Sequence, residues 1–309
     1  MSKLLKIKGL SKVFGAFKAV DNLTFNVDKG EVLGFLGPNG AGKTTTMRML
    51  TGFIRPTDGE VYIKNTNLMD NLEYCRKFIG YVPEGSPLYQ EMSSIDFLKF
   101  SAKIRNLSNQ NLDNAINRVI KLLNLHNVLF QKIDTLSKGY KRRIGLAQAI
   151  IHDPEILILD EPTDGLDPNQ KNDVRQLIRK LGKQKAIIIS THILEEVTAI
   201  CNRAMIISNG KLLLDEKPKD LLKKSETYNS IFLSVEEKKP IDLKKDIIKY
   251  KITMEVDIID SVCVLKGKKP KLIKNKIDEY IKKNKFTINH YSIGNGNLEE
   301  VFRRLTANE

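Results

Sequence analysis

The sequence predicts an α/β fold: a mixed sheet core carrying a helical subdomain, followed by a small α+β domain. Three observations predict it. A glycine-rich stretch, Gly37-Pro38-Asn39-Gly40-Ala41-Gly42-Lys43-Thr44, stands between a strand-like segment and a helix-like one. Two short runs, residues 156–159 and 186–189, are wholly apolar, as buried parallel strands covered on both faces are. Between about residues 86 and 151 apolar residues instead recur at helical spacing.

Taken in order, residues 4 to about 35 alternate apolar and polar side chains around turn signals at Gly15 and Asp28-Lys29-Gly30, which reads as strands. Residues 43–50 read as a helix that starts from the glycine-rich loop, and Gly52, Pro56 and Asp58-Gly59 mark turns after it. The helical stretch follows, with Ile95, Leu98 and Phe100, then Leu112, Ala115, Ile116, Val119, Ile120, Leu122 and Leu123. After the two buried strands, the segment to about Leu222 closes the first domain, residues 1–222. A second domain, 226–309, is expected to be small α+β. Strands are read near 230–235, 252–258, 261–265 and 286–291, and helices near 243–248 and 272–281. Asn297-Leu298-Glu299-Glu300-Val301-Phe302 reads as a capped amphipathic helix.

At 309 residues and 41% hydrophobic the chain is long enough for two domains and a sizeable core. No apolar run approaches the ~20 residues of a spanning helix, and the first residues lack a secretory leader's apolar core. The expectation is a chain that stays in the cytoplasm. Cys75, Cys201 and Cys263 are odd in number and far apart, which suits reduced thiols and gives no metal-ligand spacing. The formal charge of +14 comes from lysines spread along the chain without an aromatic-rich basic tract. That leaves either a solvated surface or one lying near anionic lipid headgroups, and no nucleic-acid partner is expected.

The glycine-rich stretch fits G-x-x-x-x-G-K-[ST]. Its glycines Gly37, Gly40 and Gly42 turn backbone N–H groups inward, and the next helix presents its positive end to an anion. Lys43 is placed to bridge phosphate oxygens as a point charge, and the Thr44 hydroxyl to ligate Mg²⁺. Asp160 ends a buried strand, so its carboxylate emerges beside the loop, where it can hold Mg²⁺. Glu161, one residue on, can orient or deprotonate an attacking water.

Ahead of that strand stands Leu136-Ser137-Lys138-Gly139-Tyr140, followed by Lys141-Arg142-Arg143-Ile144-Gly145-Leu146-Ala147-Gln148-Ala149 at helical spacing. Together, in this order, these motifs resemble those of ABC-type ATPases, a P-loop NTPase class with this mixed sheet and helical subdomain. The tract at Leu136 departs from the family's LSGGQ, with Lys138 for glycine and Tyr140 for glutamine. Lys138 adds positive charge near a phosphate or is simply solvated. Glu84, in Ile79-Gly80-Tyr81-Val82-Pro83-Glu84, stands where most of the family has glutamine. These departures, with the Leu298-Glu299-Glu300-Val301-Phe302 ending, look like the ATPase subunits of type-2 exporters of the gliding-motility and sodium- or drug-efflux groups.

The resemblance implies ATP and Mg²⁺ as cofactors, with Pro38, Asn39, Ala41 and Thr45 joining Gly37, Gly40, Gly42, Lys43 and Thr44 around the nucleotide. Thr44, Asp160 and Glu84 would hold the metal. Glu161 and His192, which resembles the family's switch histidine, would be catalytic. Ser137, Gly139 and Asp167 would reach the ATP of a second subunit. Phe14 either stacks on adenine or packs in the core. The implied assembly is a homodimer or heterodimer of ATP-binding subunits under an integral-membrane permease, peripheral on the cytoplasmic face of the cell membrane. The competing class, soluble ABC ATPases acting on ribosomes or nucleic acid, resembles two cassettes in tandem or carries long coiled coils or zinc modules, and neither is seen here.

Overall fold

The computed structural model describes residues 3–85, 87–253, 255–267 and 270–307. Ser86, where the helical reading begins, and Met254, inside an expected strand, lie outside the described residues, as do the last two residues of the second domain. The chain divides into two compact units, Met1–Pro218 and Lys219–Glu309.

The first unit opens with β1 (Leu5–Phe14), β2 (Phe17–Val27) and β3 (Val32–Leu36), then α1 (Lys43–Leu50). After β4 (Asp58–Ile63), β5 (Thr66–Asn67), α2 (Leu72–Arg76) and β6 (Ile79–Val82) come α3 (Ser94–Ile104), α4 (Asn109–Leu123) and α5 (Lys138–Ile150). The unit closes with β7 (Ile156–Asp160), α6 (Pro168–Gly182), β8 (Ala186–Thr191), α7 (Leu194–Ile200), β9 (Arg203–Ser208) and β10 (Lys211–Glu216). From α8 (Pro218–Leu222) onward the chain enters the second unit.

Six strands form the central sheet in the order β10-β9-β3-β8-β7-β6, parallel except at the β10–β9 edge. A second, antiparallel sheet runs β2-β1-β4-β5. The period-2 alternation of strands divides the apolar runs between two cores. Ile156, Ile158 and Ile188 pack with α1 and the antiparallel sheet, whereas Leu157, Leu159, Ile187 and Ile189 pack with α3 to α6. Burial on both faces is why these strands carry no polar residue until they emerge at their ends.

Several helices, α3, α5 and α6 among them, start on side-chain caps that satisfy first-turn N–H groups. Ser93 accepts from Asp96 N at 3.2 Å, Ser137 from Tyr140 N at 3.4 Å, and Asp167 from Gln170 N at 2.9 Å with Pro168 just behind it. Two of these caps, Ser137 and Asp167, are also residues singled out in the sequence.

The second unit is a four-stranded antiparallel sheet, β12-β13-β11-β14, built from β11 (Tyr228–Val235), β12 (Glu255–Ile259), β13 (Val262–Lys266) and β14 (Ile288–Asn295). Helices α9 (Pro240–Lys249) and α10 (Pro270–Asn284) bury Leu243, Ile247, Ile273 and Ile277 against Ile231, Leu233, Cys263 and Leu265. At its end α11 (Leu298–Thr306) is capped by Asn297, which accepts from Glu299 N at 2.8 Å. The Glu300 carboxylate accepts from Ser225 Oγ at 2.7 Å and Glu226 N at 2.6 Å, tying the last helix to the first turn of the unit. Among the described residues no helix is long and apolar enough to cross a membrane.

Candidate functional site

At the C-terminal ends of β3, β7 and β8 the chain leaves the sheet, and there a cavity of about 550 Å³ opens. Its lining includes Asn39, Gly40, Gly42, Lys43, Thr44, Thr45, Glu84, Glu161 and His192 from the sequence-derived set, joined by Phe17, Ala19 and Asp164. Ligand crevices at this end of parallel strands are the rule in open α/β sheets.

The floor is the loop before α1. Gly42 takes φ of +98° at the helix start, where an added Cβ would lie 2.3 Å from Ala19 O. Only glycine fits there. With no side-chain cap on α1, its first residues, Lys43, Thr44 and Thr45, face the cavity with the positive end of the helix behind them. The Lys43 ammonium donates to Gly37 O at 2.8 Å and Pro38 O at 3.1 Å and lies 3.8 Å from Glu161 Oε1. Burial lowers its pKa, opposed by the charges of Glu161, Asp160 and Glu84. Ala41, buried, closes the loop by donating its N–H to Pro38 O at 3.2 Å.

Asp160 is fully buried at the end of β7. Ser190 Oγ donates to its Oδ1, as does Thr44 Oγ1 at 3.4 Å, while Oδ2 has no hydrogen-bond partner among the described residues. A buried carboxylate oxygen left in this condition is costly unless something else engages it. Beside Thr44 and a phosphate-binding loop, this donor set fits Mg²⁺, which takes one or two carboxylates, a hydroxyl and substrate phosphates. No cluster of three or more His, Cys, Asp or Glu that could hold a metal alone occurs among the described residues.

Glu161 follows in the left-handed region, at φ of +49°. A non-glycine residue there is uncommon and needs holding. Its N–H donates to Ser190 O at 3.1 Å and is 3.2 Å from Ser190 Oγ, and its carbonyl accepts from the Arg142 guanidinium. The turn aims the buried carboxylate between Lys43 and the half-exposed His192, whose Nδ1 is 3.0 Å from Glu161 Oε2. Behind them Glu196, fully buried, accepts from Thr163 Oγ1 and, at 2.9 Å, from Thr191 Oγ1. It thereby links the turn after Glu161 to the residue before His192.

Phe14 is not among the lining residues. Its ring is 49% exposed at the end of β1, with Lys12 Nζ 5.1 Å above it, so it is no core residue. Phe17, across the hairpin, lines the cavity instead and is 62% exposed. Ser137, Gly139 and Asp167 lie outside the cavity as well. Ser137 and Asp167 cap α5 and α6, and the starts of the two helices touch where Gly139 packs on the Gln170 side chain. Sequence reasoning missed Arg142, Glu196 and Phe17. The first sits in a run of charge that reads as a solvated helix face, and the second follows a helix start where acidic residues are ordinary.

The fold and site define a phosphate-loop nucleotide hydrolase with a helical insert between its nucleotide-binding motifs. A family model described as "ABC transporter" matches residues 20–164. Bacitracin transport ATP-binding protein BcrA of Bacillus licheniformis is 37% identical over 308 residues, covering 99% of this chain and 98% of that protein. The chain belongs to the ABC transporter family, as an ATP-binding subunit. It is therefore an ATPase that dimerises and works with a membrane permease. Nod factor export ATP-binding protein I of Cupriavidus metallidurans is 33% identical over 223 residues, 72% of this chain and 74% of its own length. Among solved structures, an ATP-binding subunit of an ABC transporter superposes with a TM-score of 0.66 at 30% identity, covering 72% of this chain and 92% of that one. The dimeric post-hydrolysis cassette MJ0796, bound to ADP and Pi, does so at 0.64 and 25% identity, covering 69% and 98%.

Proposed function

We propose that this chain energises an exporter from the cytoplasmic face of the cell membrane, in a homodimer or heterodimer of ATP-binding subunits closed around two ATP. The observation that carries the catalytic reading is Glu161, held in a left-handed turn with its carboxylate between Lys43 and His192. Gly37 to Thr45 bind the phosphates. Thr44, Asp160 and Glu84 hold Mg²⁺, which neutralises phosphate charge when bound. Glu161 takes the proton of the attacking water and His192 orients it. Adenine is left to the two exposed phenylalanines of the β1–β2 hairpin, Phe14 and Phe17. Ser137 and Gly139 at the start of α5, with Asp167 beside them, offer a hydroxyl and N–H groups to the second subunit's ATP.

Export is supported by the relatives named for bacitracin transport and Nod factor export. The helical subdomain, residues 86–151, offers the grip for the permease. Between α2 and α3 lies a cavity of about 760 Å³ lined by Tyr89, Phe97, Phe100, Ile104 and Arg105, with Tyr89 and Ile104 each 61% exposed. An apolar-faced cytoplasmic segment of the permease suits this cleft. Closure of the dimer can move that segment only by the differential affinity of ATP for the open and closed forms. About 5.5 kcal/mol carries such an equilibrium from 1:99 to 99:1.

The test is Glu161→Gln. The variant is expected to bind ATP, lose more than about 100-fold in turnover and accumulate as a dimer with ATP and Mg²⁺. Tagged and purified from detergent-solubilised membranes, it should carry a stoichiometric multi-span membrane protein. Normal turnover would remove Glu161 from its role. Recovery of ribosomes or nucleic acid in place of a membrane protein would overturn the transport reading.

A further inference from the structure

Arg142 lies one turn inside α5, between Lys141 and Arg143, yet it is only 6% exposed. Its side chain runs beneath the turn that follows β7. Nε donates to Pro162 O at 2.9 Å, one terminal nitrogen donates to the carbonyl of Glu161, and the other to Pro83 O at 3.4 Å. Burial lowers its pKa, against the charges of Asp164, Asp160, Glu161 and Glu84, which all favour the cation. Placing a guanidinium there is costly in solvation. These three bonds reach two backbone segments, and each segment carries a carboxylate of the site. The Glu161 carbonyl belongs to the residue held at φ of +49°, so this bond helps fix the turn that aims its side chain. Pro83 immediately precedes Glu84. The same helix begins at the Ser137 cap, and Gly139 stands one turn before Arg142.

We propose that Arg142 is a positioning residue that joins the start of α5 to Glu161 and Glu84, so that displacement of the helical subdomain reaches the hydrolytic end of the site. A planar fork with donors on three nitrogens can serve carbonyls on two segments at once, whereas a lysine ammonium is a single point charge on a flexible stem. This rests on the assignment of Glu161 as the water-activating carboxylate.

The experiment is a double-mutant cycle on the full chain with saturating Mg-ATP, comparing Arg142→Gln, Arg142→Lys, Glu161→Gln and the Arg142→Gln/Glu161→Gln pair. Misaiming Glu161 without disturbing the phosphate loop should lower kcat by about 10- to 100-fold in Arg142→Gln, with KM for ATP within about threefold. Arg142→Lys should recover part of kcat. In the Glu161→Gln background the Arg142→Gln change should cost less than about twofold, because the group it aims is already gone. If Arg142→Gln fails to fold, Arg142→Lys and its pair with Glu161→Gln carry the same comparison. An unchanged kcat, a fall in kcat matched by loss of ATP affinity, or full additivity in the Glu161→Gln background overturns the proposal. Normal turnover of Glu161→Gln alone, seen without any change at Arg142, removes the underlying assignment and this proposal with it.

Discussion

One fully buried carboxylate, Glu196, keeps the two turns of the site in register. Thr163 and Thr191 both donate to it, and Arg175 lies 4.0 Å away. Burial raises its pKa, more than the threonine bond and the Arg175 charge lower it. The sign of the pH effect follows from linkage. With the folded-state pKa above the unfolded value near 4.5, the native state binds the extra proton between the two, so ionising Glu196 removes stability as pH rises through that window. Glutamine keeps the shape, accepts from one threonine with its carbonyl and donates to the other hydroxyl with its amide. Glu196→Gln should therefore gain stability relative to the parent as pH rises from below 4.5 through the raised folded-state value, and the difference should then level off. Urea midpoints of both proteins across that range measure it. A difference that is flat, or that grows as pH falls, would show that burial of the charge is not what sets its behaviour.

At the scale of elements, β6 at Gly80 approaches α5 so closely that no side chain fits between them. An ideal Cβ on Gly80 would sit 2.1 Å from Ala149 O and 2.9 Å from Pro154 Cγ. Since the obstacle is backbone, it cannot turn aside, and Gly80→Ala must push β6 from α5 and shift the Pro83-Glu84 segment that follows. Overpacking of this kind costs about 1–3 kcal/mol, which a thermal scan should register as a midpoint several degrees lower. An unmoved midpoint would mean that the helical subdomain is not held to the sheet at this contact. That contact was invisible in the sequence, while its partners were not. The runs 156–159 and 186–189 were legible because β7 and β8 are buried on both faces. The helix at 43–50 was legible because the loop that begins it has its own residue pattern. In the tail the expected helix at 272–281 is longer, Pro270–Asn284, since Pro270 opens its first turn and Lys282 and Lys283 end it without apolar periodicity. Arg142 escaped notice for a related reason. Its spacing in α5 says only that the residue is helical, and whether it meets water or the carbonyls of residues 83, 161 and 162 depends on contacts between distant segments. Phe17 was not singled out because strand alternation alone does not reveal that the hairpin pairs it directly with Phe14.

For the whole molecule the decisive fact is which functional residues share a cavity and which do not. The phosphate loop, Glu84, Glu161 and His192 converge, whereas Ser137, Gly139 and Asp167 stand outside that cavity at the starts of α5 and α6. The site completed by a second subunit that we propose above would account for both groups, and it makes a quantitative demand. Take one chain with Lys43→Ala and another with Gly139→Asp, both carrying Glu161→Gln so that closed dimers persist. Each homodimer has a defect in both of its composite sites. In a mixed dimer one site combines both defects, and the other pairs the intact loop of the Gly139→Asp chain with the intact α5 start of the Lys43→Ala chain. Random pairing of equal amounts makes half the dimers mixed, with one good site of two, so about a quarter of the parent's trapped ATP should reappear on mixing. Gel filtration with labelled ATP measures it. If each chain held a complete site, the Gly139→Asp protein would trap ATP by itself and mixing would add nothing.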